Sequence, residues 1–243
     1  MARLSDIVQF LDTQLNHGGV PEPYGTNGLQ VEASEEVERV GMAVDACGQS
    51  FEALSDCQLI VVHHGLFWPK ISRIQGAMAR QLRKLFAQGS SLYASHLPLD
   101  LHPEWGNNAQ MLRKLGLTRG DLFAPVGYLA ECRQSLDTFV RLVEDTIGPS
   151  RLLAFGPAQL ERVAVSSGQA SVAMVDQAVS AGAQLLLTGE AGHPIFHAAR
   201  QAHLNVLLAG HYQTEVWGVR ALMPVLEEQF GVRTRFVDIP TGF

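Results

Sequence analysis

Three places in the chain set imidazoles beside partners that can do metal chemistry. In CQLIVVHHGLFW an apolar run ends in His63 and His64, followed by Gly65. SHLPLD spaces His96 and Asp100 as His-x-x-x-Asp, and GHYQTE repeats the spacing with His211 and Glu215. Neutral nitrogen and anionic oxygen donors without a thiolate suit divalent Zn, Mn, Fe, Co or Ni. A single histidine at a strand end is more often a hydrogen-bonded structural residue than a ligand. An HH pair together with two His-x-x-x-carboxylate turns in repeated positions favours a metal site. Neighbouring side chains on a regular strand point to opposite faces. His63 and His64 can therefore share a site only if the strand has ended, and Gly65 is read as the residue that permits the turn. The expectation is that each histidine binds one of two nearby ions sharing a water and a carboxylate, a common hydrolytic arrangement.

The elements that must hold these residues read as alternating strands and helices. Leu4, Ile7, Val8, Leu11 and Leu15 recur at helical spacing, with Ser5 the expected N-cap. HGGVPEPYGTNGLQVE reads as an extended loop. ERVGMAVDAC, CQLIVVHHG and SLYASHLPLD read as strands separated by helices, with SHLPLD running into a loop. The second half repeats this order. ERVAVSSGQ aligns with ERVGMAVDA, AQLLLTGEAGH with CQLIVVHHG, and NVLLAGHYQTE with SLYASHLPLD, at an offset of about 115 to 126 residues. The pattern is an internal duplication of a β-α-β-α-β unit. The expected fold is α/β, with two similar lobes built on mixed sheets covered by helices. Residues 1–120 form the first lobe, 121–156 a connecting β-α-β segment and 157–243 the second lobe, the lobes interlocking as one compact unit. VRTRFVDIP reads as an edge strand. In such folds ligands collect at the carboxyl ends of strands, where HHG, SHLPLD, TGEAGH and GHYQTE all fall.

Other residues carry two readings each. Glu190 in TGEAGH caps the following helix or acts as an acid/base group. His193 and His197 share one helix face and are read as cleft-lining polar residues rather than ligands. Asn27 shapes a turn or lines the cleft. Phe67 and Trp68 are core or interface, or stack on a substrate base. Ser166, Ser167 and Gly168 form a turn whose N–H groups could receive a phosphate.

The bulk numbers exclude several classes. The 243 residues are 47% hydrophobic and 17% charged, enough for a sizeable core. No apolar run reaches the roughly 18 residues of a membrane span. MARLSDIVQFLDTQL is interrupted by Asp6 and Asp12 and does not read as a secretion signal. Cys47, Cys57 and Cys132 form no C-x-x-C pair, so neither a disulfide framework nor a thiolate zinc site is indicated. The expected location is cytoplasmic. The net charge of −6 argues against a nucleic-acid binder; Arg80, Arg83 and Lys84 are read as a solvated helix face.

NGLQV, VVHHGLFW, SHLPLD, LLTGE and AGHYQTEVWG, in this order over nearly the whole chain, resemble the type 2 GTP cyclohydrolase I homologues, or Nif-three-like proteins. The resemblance is closest to the short bacterial YbgI-like branch, since no extra domain separates the halves. It implies two divalent metal ions per subunit, bound by His63, His64, Asp100, His211 and Glu215, and a toroidal homohexamer. His96, Glu190 and His197 are the expected proton-transfer residues, and Asp100 or Glu215 the bridge. The implied activity is metal-dependent hydrolysis of a small molecule, with a nucleotide as one candidate. Cyclohydrolase chemistry would need attack of a water-derived nucleophile at C8 of guanine, proton transfers and loss of formate. The competing readings are a metal-handling or metal-delivery protein and, more weakly, a ring-shaped, nucleic-acid-associated (repair-related) protein.

Overall fold

The structure, a computed structural model, describes residues 1–68, 71 and 73–243. It divides into two compact units, Met1–His102 with Gly218–Ile239, and Pro103–Trp217 with Pro240–Phe243.

The first unit opens with β1 (Ala2–Arg3) and α1 (Leu4–Gln14). Leu4, Ile7 and Leu11 line the buried face of α1, as the helical period requires. The expected cap is displaced: Arg3 is the N-cap and Ser5 lies inside the helix. The Leu4 N–H donates to Glu35 O at 2.9 Å, so the residue before the partner strand of β1 satisfies it without a side-chain cap. Then follow β2 (Gly28–Val31), β3 (Glu36–Val37), β4 (Arg39–Asp45), α2 (Gly48–Ala53), β5 (Leu59–His64), α3 (Gly76–Gln88), β6 (Ser91–Ala94) and α4 (Leu97–Leu101). Gly89, left-handed at φ 66°, ends α3. Arg80 and Arg83 are exposed on α3, as expected of a solvated face, whereas Lys84 is half-buried and reaches Gly48 O and Glu52.

The second unit holds α5 (Asn107–Lys114), β7 (Leu122–Phe123), β8 (Gly127–Ser135), α6 (Leu136–Thr146), β9 (Arg151–Leu153), β10 (Gln159–Ala170), α7 (Val172–Ser180), β11 (Leu185–Ala191), α8 (Ile195–Gln201) and β12 (Asn205–Leu208). The chain re-enters the first unit within α9 (His211–Phe230) and ends its regular structure at β13 (Arg233–Phe236).

Each unit is a mixed sheet with helical cover. The first has the order β13-β4-β5-β6-β2, the second β7-β8-β10-β11-β12-β9. The duplicated β-α-β-α-β unit is plain in both: β4, β5 and β6 run parallel, as do β10, β11 and β12. The central strands are buried on both faces, which explains their near-continuous apolar sequence. An antiparallel strand closes one edge of each set, β2 on β6 and β9 on β12. The other edges differ: β13 adds parallel to β4, whereas β8 adds antiparallel to β10. The segment 121–156, read as a connector, supplies β7, β8 and β9 to the second sheet. β13 is an edge strand as expected.

Sheet register corrects one detail of the duplication. Leu59 pairs with Ser91 and Leu185 with Asn205. Counting on from these pairs sets His96 level with Gly210, and His211 one residue later. The backbone agrees, because Ser95 N–H donates to Val62 O and Ala209 N–H to Thr188 O.

Candidate metal centre

In the first unit, His63 and His64 are the last two residues of β5, and the strand has not ended before them. Asp45 and His64 are register partners. The two rings lie 4.7 Å apart between centroids. Gly65 is not at positive φ. It is required for space: a Cβ there would meet Gln30 Nε2 at 2.3 Å and Ala94 Cβ at 2.7 Å. Gln30 in turn accepts the Leu66 N–H at 2.7 Å, and Gly65 O accepts the Trp68 indole N–H. Glycine thus lets the chain leave the strand against its neighbour rather than turn through a left-handed angle.

His96 N-caps α4, and Asp100 sits on that helix rather than in a loop. Pro98 in the first turn is compatible with a helix, since its missing N–H would have no intrahelical partner there. The ring of His96 lies 5.0 Å from that of His63 and 5.6 Å from that of His64. Ligand atoms of these three histidines lie within 4.8 Å of one another.

Each imidazole is oriented from behind. His63 Nδ1 donates to Ser95 O at 2.9 Å, His64 Nδ1 to Asp45 Oδ1 at 2.8 Å and His96 Nδ1 to Glu22 Oε2 at 2.9 Å. A carbonyl or carboxylate oxygen accepts, so Nδ1 carries the hydrogen and Nε2 presents a lone pair. Glu22 also accepts from the backbone of Tyr24, Gly25 and Leu97. Burial opposes its ionisation, but the His96 hydrogen bond and these N–H groups prevail and hold its carboxyl down to about 2. Asn27 Oδ1 accepts the His96 N–H at 2.7 Å, which pins the glycine-rich loop to the end of β6. Behind the site, Ser95 Oγ bonds His17 Nε2 at 3.0 Å, and Asp12 receives both His17 and the Tyr93 hydroxyl. Trp68 and Tyr24 flank the imidazoles, with Trp68 5.0 Å and Tyr24 6.5 Å from the His96 ring.

In the second unit, His211 and Glu215 start α9 one turn apart, with Nε2 3.0 Å from Glu215 Oε2. Glu190, at the end of β11, accepts from His211 Nδ1 at 3.0 Å. It caps no helix, because α8 begins only at Ile195. Two glycines admit the start of α9. A Cβ on Gly168, which lies at φ 63°, would meet Glu215 Oε1 at 2.3 Å. One on Gly189 would meet Gly168 O and the His211 Cα, each at 2.7 Å. The Ser167 N–H donates to Asn108 Oδ1 and the Gly168 N–H to Thr214 Oγ1, so the phosphate-turn reading gives way to a fixed internal bulge. His197 lies on α8, exposed, its ring against His193 and Phe196, but His193 lies in the turn before α8, so the two do not share a helix face as expected.

The donors fit a divalent metal. His63 Nε2 lies 3.6 Å from Asp100 Oδ2, with both side chains buried. That exceeds a hydrogen bond and approaches the roughly 3.4 Å between two ligands subtending a tetrahedral angle on bonds of about 2.1 Å. His211 Nε2 likewise faces a carboxylate oxygen while its Nδ1 is engaged. At His63–Asp100 the imidazole nitrogen faces a carboxylate oxygen beyond hydrogen-bond reach, an arrangement that a shared cation would make favourable, and at His211–Glu215 the same donor types stand at ion-pair distance.

An α/β protein with duplicated strand ends carrying oriented imidazoles and carboxylates is the class that fold and site define. The Duf34/NIF3 (NGG1p interacting factor 3) model matches residues 2–241, and the chain belongs to this family. It is 40% identical over 246 residues to a protein of Archaeoglobus fulgidus named GTP cyclohydrolase 1 type 2 homolog, covering 98% of this chain and 99% of that one. Among solved structures, it is similar to a Thermus thermophilus protein at TM-score 0.92 and 36% identity, covering 99% and 100% of the two chains. It is also similar to protein ybgI, of unknown function, at TM-score 0.93 and 32% identity, covering 98% and 99%. Among the described residues no helix is long and apolar enough to cross a membrane.

Sequence pattern assigns no role to the orienting groups Asp45 and Glu22 or to Gly189, and it assigns Gly168 a phosphate turn rather than the space it makes for Glu215. Asp45 was detectable, since it ends the strand read in ERVGMAVDAC. Glu22, inside PEPYG, gives no local signal.

Proposed function

We propose that His63, His64, Asp100, His211 and Glu215 would together hold two divalent ions. On this reading the protein is a metal-dependent hydrolase of the cyclohydrolase type, acting on a small molecule such as a nucleotide. The observation that carries it is the placing of imidazole nitrogen against carboxylate oxygen at His63–Asp100 and His211–Glu215, each imidazole held from behind. The name shared by curated relatives points the same way. Bound divalent ions would supply a water nucleophile at neutral pH and polarise the bond it attacks.

The chain's own residues do the rest. Ser95, Asp45 and Glu190 fix the tautomer and direction of His63, His64 and His211. His96, anchored by Glu22 and Asn27, presents Nε2 for proton transfer beside the ligands. Glu190 acts on this reading through His211, as a positioning residue. Trp68, about one-third exposed, offers a face to a planar ring. A homohexamer is part of the proposal on family resemblance and is read by light scattering. Turnover of GTP and a broad nucleotide panel by metal-loaded protein tests the activity. A loaded form that outpaces Glu215→Ala supports it; no difference across the panel removes it.

The partial exposure of His64 and His211, 20% and 27% of their side chains, favours one further reading, metal delivery. It predicts rapid exchange and transfer to an apo-acceptor without turnover. Metal retained for days without transfer would count against it.

A further inference from the structure

The second unit has a cavity of about 290 Å³ that the metal centre does not use. Leu153, Phe196 and Leu208 give it an apolar lining, and Arg151, His193 and His197 supply its polar groups. Edge-strand geometry explains the mix. Arg151 and Leu153 are two apart on β9 and share a face, and Leu208 of β12 is the register partner of Arg151. Across from them stand His193, in the turn before α8, and His197, on α8, with ring centroids 5.9 Å apart.

The charge pattern is one-sided. Among the described residues that line the cavity there is no Asp or Glu. Arg151, His193 and His197 make no ion pair or side-chain hydrogen bond with any described residue. Arg151, His193 and His197 are exposed at the mouth of the cleft, where a guanidinium without a carboxylate partner is open to an anionic ligand. Its planar fork matches a carboxylate or phosphate in bidentate fashion, and the two imidazoles add donors on the opposite wall. The volume is at the small end for metabolite pockets, which run from about 300 Å³ upward.

We propose that this cavity binds a small organic anion, with its carboxylate or phosphate on Arg151, His193 and His197 and its apolar body against Leu153, Phe196 and Leu208. The site is separate from the proposed metal centre and does not depend on that reading.

The test uses full-length protein at pH 6.5, titrated with phenyl phosphate and followed by calorimetry and by the histidine ring signals in NMR spectra. Binding near 1 mM or tighter is expected, worth about 4 kcal/mol, with shifts at His193 and His197. Inorganic phosphate and benzyl alcohol, each lacking half the ligand, should bind at least about tenfold more weakly. Benzoate in a parallel titration reads which oxyanion is preferred, and either preference supports the proposal. Arg151→Gln should weaken binding about 10- to 100-fold, and His197→Gln less. Arg133→Gln, on β8 and outside the cavity, should change nothing. Unchanged binding by Arg151→Gln, equal binding of benzyl alcohol, no binding of either anion at 10 mM (about 2.7 kcal/mol), or loss of all shifts on adding EDTA would each overturn it. The last result would place the anion on bound metal instead.

Discussion

The carboxyl ends of β4, β5 and β6 and those of β10, β11 and β12 are two versions of one frame with different chemistry. Where β5 ends in His63-His64, β11 has Gly189-Glu190 at matching register. Where Asp45 stands beside His64 and orients it, Gln169 stands beside Glu190 and the bulge at Gly168 makes room for Glu215. The first unit thus presents three imidazoles and one carboxylate, each ring held by a separate acceptor. The second presents one imidazole between two carboxylates and clears the ground for a long helix with glycine. Duplication supplied equivalent strand ends, and divergence decided which unit carries nitrogen and which carries space. The two strand ends should therefore fail in different ways.

The largest effect belongs to the second unit's glycines. Gly189→Ala drives a methyl into backbone at Gly168 and His211, which cannot rotate away, so a loss of about 3 kcal/mol is expected in urea denaturation. Gly65→Ala meets the end of Gln30 and a single Ala94 methyl, so about 1–2 kcal/mol is expected. A larger loss at Gly65 would reverse the comparison. Next come the orienting carboxylates. Asp45→Asn and Glu190→Gln should each weaken metal retention by about 10- to 100-fold in chelator competition. Equal retention by wild type and both variants would show that neither carboxylate acts on the ligands through its histidine.

The smallest effect is pH-dependent and confined to the first unit. Burial holds the His17 imidazole below its ordinary value of 6.5, against the pull of Asp12. Its folded pKa is depressed, so its contribution to stability is present above 6.5 and lost as pH falls below it. His17→Gln should flatten the decline in stability between about pH 6.5 and 5, by less than about 1 kcal/mol. An unchanged slope would show that His17 does not carry the acid limb.

Much of this comparison was legible in the sequence. Apolar strands with β-branched residues, helical spacing in LSDIVQFL and the repeated ERV, QL and H-x-x-x-carboxylate strings place the elements and bring the histidines and carboxylates to strand ends. Three things were not legible, each for a physical reason. Aligning His96 with His211 ignored a one-residue slip that only hydrogen-bond register reveals, with Gly210 at φ 88° preceding the second helix. The use of Gly65 for space rather than for backbone angle depends on Gln30, 35 positions away in sequence. β7 to β9 look like a connector because strand partnership is a long-range property that local pattern does not carry.

The most direct test is metal analysis, with anomalous diffraction, of full-length protein loaded with Mn²⁺ or Zn²⁺ and dialysed. Two ions per chain are predicted, with ligands from His63, His64, Asp100, His211 and Glu215, and loss of at least one ion in both His63→Ala and Glu215→Ala. Chains that retain no metal, or that keep the same stoichiometry when both residues are replaced, would contradict the account.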